Sequence, residues 1–189
     1  MPDCAKPLSA WFWVSLLLVF LAWAGRAHGE NYQARIIDVQ ARTNGTSLSI
    51  GASLDYRLSP TAREAVLKGI PLTWHVDVQL RKPGLLWDTI VFRQILPVRL
   101  KFHALLNQYE VLTPQGQEEM FLTLNAAIHY MSSLHDWVRI DNSLLTDDLV
   151  LALKIRFNRE KLPVPLRPFS YLDAQWFLSS DWLSWPLAN

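Results

Sequence analysis

The sequence predicts a mainly β, α+β chain: an antiparallel, β-sandwich-like domain with two short helices, preceded by an N-terminal signal or anchor helix. Three observations carry this. Several segments alternate apolar and polar residues with the period of two that a half-buried strand imposes. Asn44-Gly45 and Lys82-Pro83-Gly84 stand between such segments as turn signals. Only two stretches show helical spacing, too few for the crossovers of a parallel sheet. A single curved sheet with both helices on one side is the other architecture that this pattern allows.

The central stretch, Asp55 to Arg81, holds the clearest helix and the clearest strand side by side. Ser59 is a good N-cap, Pro60 suits the first helical position, and Gly69 followed by Pro71 closes a helix over about Pro60 to Lys68. Leu72, Trp74, Val76, Val78 and Leu80 then alternate with Thr73, His75, Asp77, Gln79 and Arg81, so one face of this strand is core and the other is wet.

Before it, Asn31 to Gln40 reads as a strand, and Leu48, Ile50, Ala52 and Leu54 alternate on the return across a turn at Asn44-Gly45. Asn44-Gly45-Thr46 also has the form of a glycosylation sequon, although the turn explains the same residues. After it, Thr89 to Phe102 alternates around Pro97, which implies an edge, a bulge or a bend because proline cannot donate to a central ladder. Tyr109 to Leu112 is expected to pair with that strand.

Thr123 caps a second predicted helix whose apolar positions are Leu124, Ala127, Ile128, Met131 and Leu134. Trp137 to Ile140 is a short strand candidate, and Leu149 to Asn158 gives the last clear alternation. Within residues 159–189, Pro163, Pro165 and Pro168 are expected to prevent regular structure, leaving an extended aromatic tail with Trp176, Trp182 and Trp185.

The beginning of the chain bounds its compartment. Leu8 to Gly25 is an uncharged apolar run behind Lys6, and Ala27-His28-Gly29 offers small residues for cleavage, so residues 1–29 read as a signal peptide. An uncleaved anchor is the competing reading, because this uncharged run of eighteen residues reaches the lower edge of a spanning helix. Both readings place a single domain, residues 30–189, on the exported, periplasmic side of an inner membrane. Membrane contact is expected only through residues 8–25, if that run is uncleaved. Cys4, the single cysteine, precedes the run and cannot join a disulfide in the domain. Loss of residues 1–29 removes Lys6, Arg26 and Asp3 and leaves equal numbers of acidic and basic side chains. A neutral domain has no strong field with which to gather nucleic acid.

The segments DYRLSPTAREAVLKGIPLTW, HALLNQYEV, LPVPLRP and WFLSSDWLSW occur in this order and together resemble a proteobacterial family of exported proteins catalogued only as a domain of unknown function. The resemblance covers essentially all of residues 30–189. It implies an envelope location and a single domain, and it carries over no catalytic residues. By genomic company, it implies as partner a membrane sensor histidine kinase of the nitrogen-regulation type, with another envelope protein as the alternative.

No catalytic, cofactor or metal constellation is expected. His129 and His135 are six residues apart, unlike the four-residue spacing of a helical zinc pair. His75 and His103 could meet only across a sheet. Ser132 and Ser133 near His129 and Asp136 lack a nucleophile elbow. Ser179-Ser180-Asp181 fits a turn or helix cap better than a nucleophile, and Asp147-Asp148 and Glu118-Glu119 lack calcium-loop spacing. Trp176, Trp182 and Trp185 are the candidate partner-binding residues, against the plainer reading that they plug the end of the domain. The functional expectation is a noncatalytic, exported accessory domain that works by binding. A periplasmic small-molecule or lipid carrier is the alternative, and a hydrolase is ranked last.

Overall fold

The computed structural model describes residues 33–145 and 148–187. The expected signal or anchor segment, residues 1–29, lies outside the described residues, as does Asp147. No helix among the described residues is long and apolar enough to cross a membrane.

Strands β1 (Ala34–Asn44) and β2 (Ser47–Tyr56) form the expected hairpin. Its two turn residues are Gly45 and Thr46, one position beyond the predicted pair, since Asn44 is still paired with Ser47. Gly45 has φ 57°, a conformation that glycine adopts without steric cost. Helix α1 (Pro60–Leu67) has the predicted cap: Ser59 Oγ accepts from the Ala62 N–H at 3.1 Å, and Gly69 follows at φ 79°. Ala62, Ala65 and Val66 are its buried face.

Strand β3 (Leu72–Lys82) lies at the middle of a sheet, with β4 (Thr89–His103) on one side and β8 (Val150–Phe157) on the other. Beyond β4 come β5 (Gln108–Leu112) and β6 (Glu118–Phe121); beyond β8 comes β9 (Leu183–Pro186). All pairings in this six-stranded sheet are antiparallel. A second, three-stranded antiparallel sheet has the order β1, β2, β7 (Ser133–Asp141). The protein is thus mainly β, with two antiparallel sheets and three short helices among the described residues, α1, α2 (Leu124–Met131) and α3 (Arg167–Leu172).

Both sheets feed one core. Leu72, Trp74, Val76, Val78 and Leu80 are all buried, as are Leu48, Ile50, Ala52 and Leu54 on β2. Tyr56 of one sheet meets Trp74 of the other edge-on at 5.3 Å between ring centroids. Pro97 sits where β4 pairs only with β3, because β5 covers only Arg99 to His103. The proline therefore removes no ladder bond on the free side.

Four expectations are corrected. Helix α2 ends at Met131, and Leu134 belongs to β7, which is longer than Trp137 to Ile140 and pairs with β2. Strand β6 was not anticipated. The prolines of the tail do not prevent regular structure: Pro165 and Pro168 occupy first-turn positions, where no backbone donor is needed, and start a 3-10 turn and α3. Finally, the end of the tail is a paired strand, β9, on the edge of β8.

Candidate functional site: a cationic basin beside β8

The register of β3 and β8 brings polar residues onto one outer face of the larger sheet. His75 is paired with Arg156, and Asp77 with Lys154. Past the end of β8, a 3-10 turn from Arg159 to Lys161 and helix α3 rise beside this face. Together they enclose an open hollow of about 390 Å³, whose cations are Lys154, Arg156 and Arg159. His75, Phe157, Asn158, Glu160, Tyr171 and Ser179 complete its wall.

The three cations are held differently. Arg156 Nη2 lies 3.0 Å from Oδ2 of the buried Asp77, a carboxylate that Arg93 also grips, Nε to Oδ1 at 3.0 Å and Nη2 to Oδ2 at 2.9 Å. Burial pushes the Asp77 carboxyl up, but hydrogen bonds from Arg93 and Gln79 and the charges of Arg93 and Arg156 outweigh it, so its pKa is lowered. Arg159 is placed by aromatic faces, 5.1 Å from the Tyr171 ring centroid and 4.9 Å from that of Phe177. Lys154 stands 5.8 Å from the Trp182 ring. Neither Lys154 nor Arg159 has a carboxylate partner among the described residues.

His75 contributes a neutral ring. Burial lowers its pKa below the ordinary 6.5, and Arg156 and Lys161 lower it further against Asp77 and Glu160. Its Nε2 is 3.3 Å from Asn158 Nδ2. Ser179 Oγ accepts from the Phe157 N–H at 3.0 Å, and Ser180 Oγ accepts from the Ile155 N–H at 2.8 Å. These serines satisfy the edge of β8 where β9 no longer reaches it, instead of capping a turn or helix. The basin therefore offers fixed positive charge, hydrogen-bond donors and an aromatic wall, the equipment for charge-assisted binding of an anionic group.

The three tryptophans separate. Trp176 is 3% exposed and stacks on Phe157 at 5.9 Å, so it is core and is not available as a partner contact. Trp182 is 38% exposed, with the Arg81 guanidinium 4.2 Å from its ring centroid and Lys154 on the basin side. Trp185 is 44% exposed on β9. Trp182 thus adjoins the basin, which its place in the sequence alone could not reveal.

His75 and His103 are not brought together. His75 is paired with Pro97 on β4 and His103 lies six residues further along that strand, about 20 Å away at strand rise. His103 Nε2 meets the buried Glu110, which also accepts from Arg99 Nη2 at 2.8 Å. Among the described residues, no three metal-ligating side chains converge. Ser133 Oγ and His135 Nδ1 are 2.9 Å apart at an exposed position on β7, where His135 lines a hollow of only about 40 Å³, and Ser132 Oγ donates to the Ile128 carbonyl.

A family model described as a domain of unknown function, DUF4390, matches residues 31–186. The chain belongs to that family. The match spans both sheets and the tail through Pro186, so the cationic basin is built wholly within the DUF4390 domain. No curated protein and no solved structure matches the chain.

Proposed function

We propose that this DUF4390 domain works by binding, as a periplasmic accessory domain of the proteobacterial envelope. On this reading, its two sheets form the layers of a β-sandwich, and its basin receives an acidic segment of a partner protein. The observation that carries the reading is the pair of basin cations with no carboxylate partner among the described residues, Lys154 beside the part-exposed ring of Trp182 and Arg159 on the ring of Tyr171. Arginine, tyrosine and tryptophan in one patch are the residue types that dominate interface energetics. The hollow is open and, Phe157 and Tyr171 apart, its lining residues are charged or polar, which favours an anionic segment over the lipid chain a carrier would enclose.

The apolar run from Leu8 to Gly25 supports export, and the genomic company that the resemblance implies favours a membrane sensor histidine kinase, or another envelope protein, as the partner. The experiment is cross-linking in living cells with a C-terminally tagged protein, in parallel with the Lys154→Glu, Arg159→Glu variant. An envelope protein recovered with the native chain and lost with the charge-reversed one supports the reading. The same recovery from both chains contradicts it.

A further inference from the structure

Every polar atom of Asn158 except Nδ2 is engaged by backbone. Its N–H donates to the Thr73 carbonyl at 2.8 Å, and its carbonyl accepts from the Lys161 N–H at 3.3 Å. Its Oδ1 accepts from the Glu160 N–H at 3.1 Å, as the cap of the 3-10 turn that carries Arg159. A backbone N–H needs an acceptor, which the amide nitrogen is not, so the side chain has one orientation. Nδ2 is then the group that faces His75, 3.3 Å from Nε2. Because Nδ2 can only donate, Nε2 accepts, and the neutral ring carries its proton on Nδ1.

A proton added at Nε2 would set two donors against each other. Turning the Asn158 amide over would relieve this only by pointing Nδ2 at the Glu160 N–H, which would uncap the turn. The ring therefore needs a new acceptor before it can hold a second proton. The charges around it do not supply one. Arg156 stands opposite on β8, and the 3-10 turn brings Arg159 and Lys161 against the single carboxylate of Glu160. On β3 itself, the Asp77 carboxylate is taken by Arg93 and Arg156. On β4 the residue opposite is Pro97, and Arg99, next on that face, is held by Glu110. Lys154 and Tyr171 close the hollow. Burial, with the charges of Arg156 and Lys161, accordingly holds the ring neutral below its ordinary 6.5.

Taking the basin to be the anion site proposed above, we infer that it binds its anion together with a proton: a carboxylate entering beside Lys154 and Arg159 accepts from His75 Nε2, and the ring, protonated from solvent, turns from Asn158 towards it. One arriving negative charge is matched by one new positive charge, so occupancy is tied to pH. An opposite charge within about 4–6 Å favours the charged ring by roughly tenfold or more, and affinity should rise by that factor as the pH falls through the histidine range.

The test uses the full chain and a short oligoaspartate, whose side chains stay ionised above about pH 5. Imidazole nitrogen resonances of the free protein should show His75 protonated on Nδ1 at neutral pH. Isothermal titration in buffers of different ionisation enthalpy should show net proton uptake on binding, and Kd should fall about tenfold between about pH 7.5 and about pH 5.5. His75→Asn should bind at the higher pH but lose both the uptake and the pH dependence. Binding without proton uptake, uptake that His75→Asn leaves in place, a variant that no longer binds at the higher pH, or a neutral ring protonated on Nε2 would overturn the inference and leave the basin an anion site. No binding by the native chain at any of these pH values would overturn both.

Discussion

Arg156 Nη2 lies 3.0 Å from Oδ2 of Asp77, whose side chain is buried, while the arginine itself remains part-exposed at the edge of the basin. The carboxylate thus fixes the direction of a basin cation from beneath. Removing the two sides of this cluster should have unequal consequences. Asp77→Asn releases two arginines that water can reach and should cost about 1 kcal/mol. Arg93→Ala with Arg156→Ala strands a buried carboxylate and should cost roughly 3 kcal/mol, most of it recovered when Asp77→Asn is added. Chemical denaturation of the four proteins checks this, and equal costs without recovery would refute it.

Acid should destabilise the protein in two steps. His75 is harder to protonate in the folded chain than its ordinary 6.5, so below that pH the unfolded chain takes up the proton first and stability falls. Glu110 and Asp77 have folded pKa values below 4.5 and 3.8; their contributions are full above those values and drain as the pH falls through them. For Glu110, burial opposes the shift, and hydrogen bonds from Arg99 and His103 outweigh it. Melting temperature against pH should decline gently below 6.5 and steeply below 4.5. His75→Asn should flatten only the first decline.

The tail tryptophans should differ in cost. Trp176 closes an aromatic series in which Trp74 packs on Phe157 at 5.4 Å and Phe157 on Trp176 at 5.9 Å. Trp74 Nε1 also donates to the Leu178 carbonyl at 3.1 Å, pinning the tail to the core. Trp176→Ala should therefore cost about 3–5 kcal/mol. Trp182→Ala, at a part-exposed site, should cost about 1 kcal/mol. Thermal denaturation of both variants tests the order.

Tyr56 presents the opposite case. Its hydroxyl is buried with no hydrogen-bond partner among the described residues, and burial raises its pKa. Tyr56→Phe removes the unsatisfied group and keeps the ring against Trp74, so stability should stay level or rise by up to about 1 kcal/mol. A clear loss on urea denaturation would show that the hydroxyl is satisfied in solution.

Strands with one wet face were legible in the sequence because their periodicity survives without tertiary information, as in Leu72 to Arg81. Helix α1 was legible from Ser59, Pro60 and Gly69, whose roles are local. Strands β6 and β9 were not, since EEMF and LSWP are four residues each and take their structure from β5 and β8. Helix α3 was hidden by Pro168, which stops a helix from within but starts one from its first turn. The basin had a partial signal, because Lys154 and Arg156 share the polar parity of their strand. Only the adjacency of β3 and β8 places them with His75 and Asp77, and no residue pattern announces that strand order. Trp176 and Trp182 looked equivalent in sequence because burial against Phe157 or contact with Lys154 is decided by how the tail folds back.

The proposed anion-binding role of the basin is tested most directly by titrating the full chain with a short oligoglutamate peptide and following backbone amide resonances. Saturable shifts confined to residues around Lys154, Asn158, Arg159 and Tyr171, weakened at least about tenfold by Lys154→Gln with Arg159→Gln at unchanged melting temperature, are predicted. Shifts scattered over the surface, or a titration that the two substitutions leave unchanged, would contradict an acidic partner segment at this site.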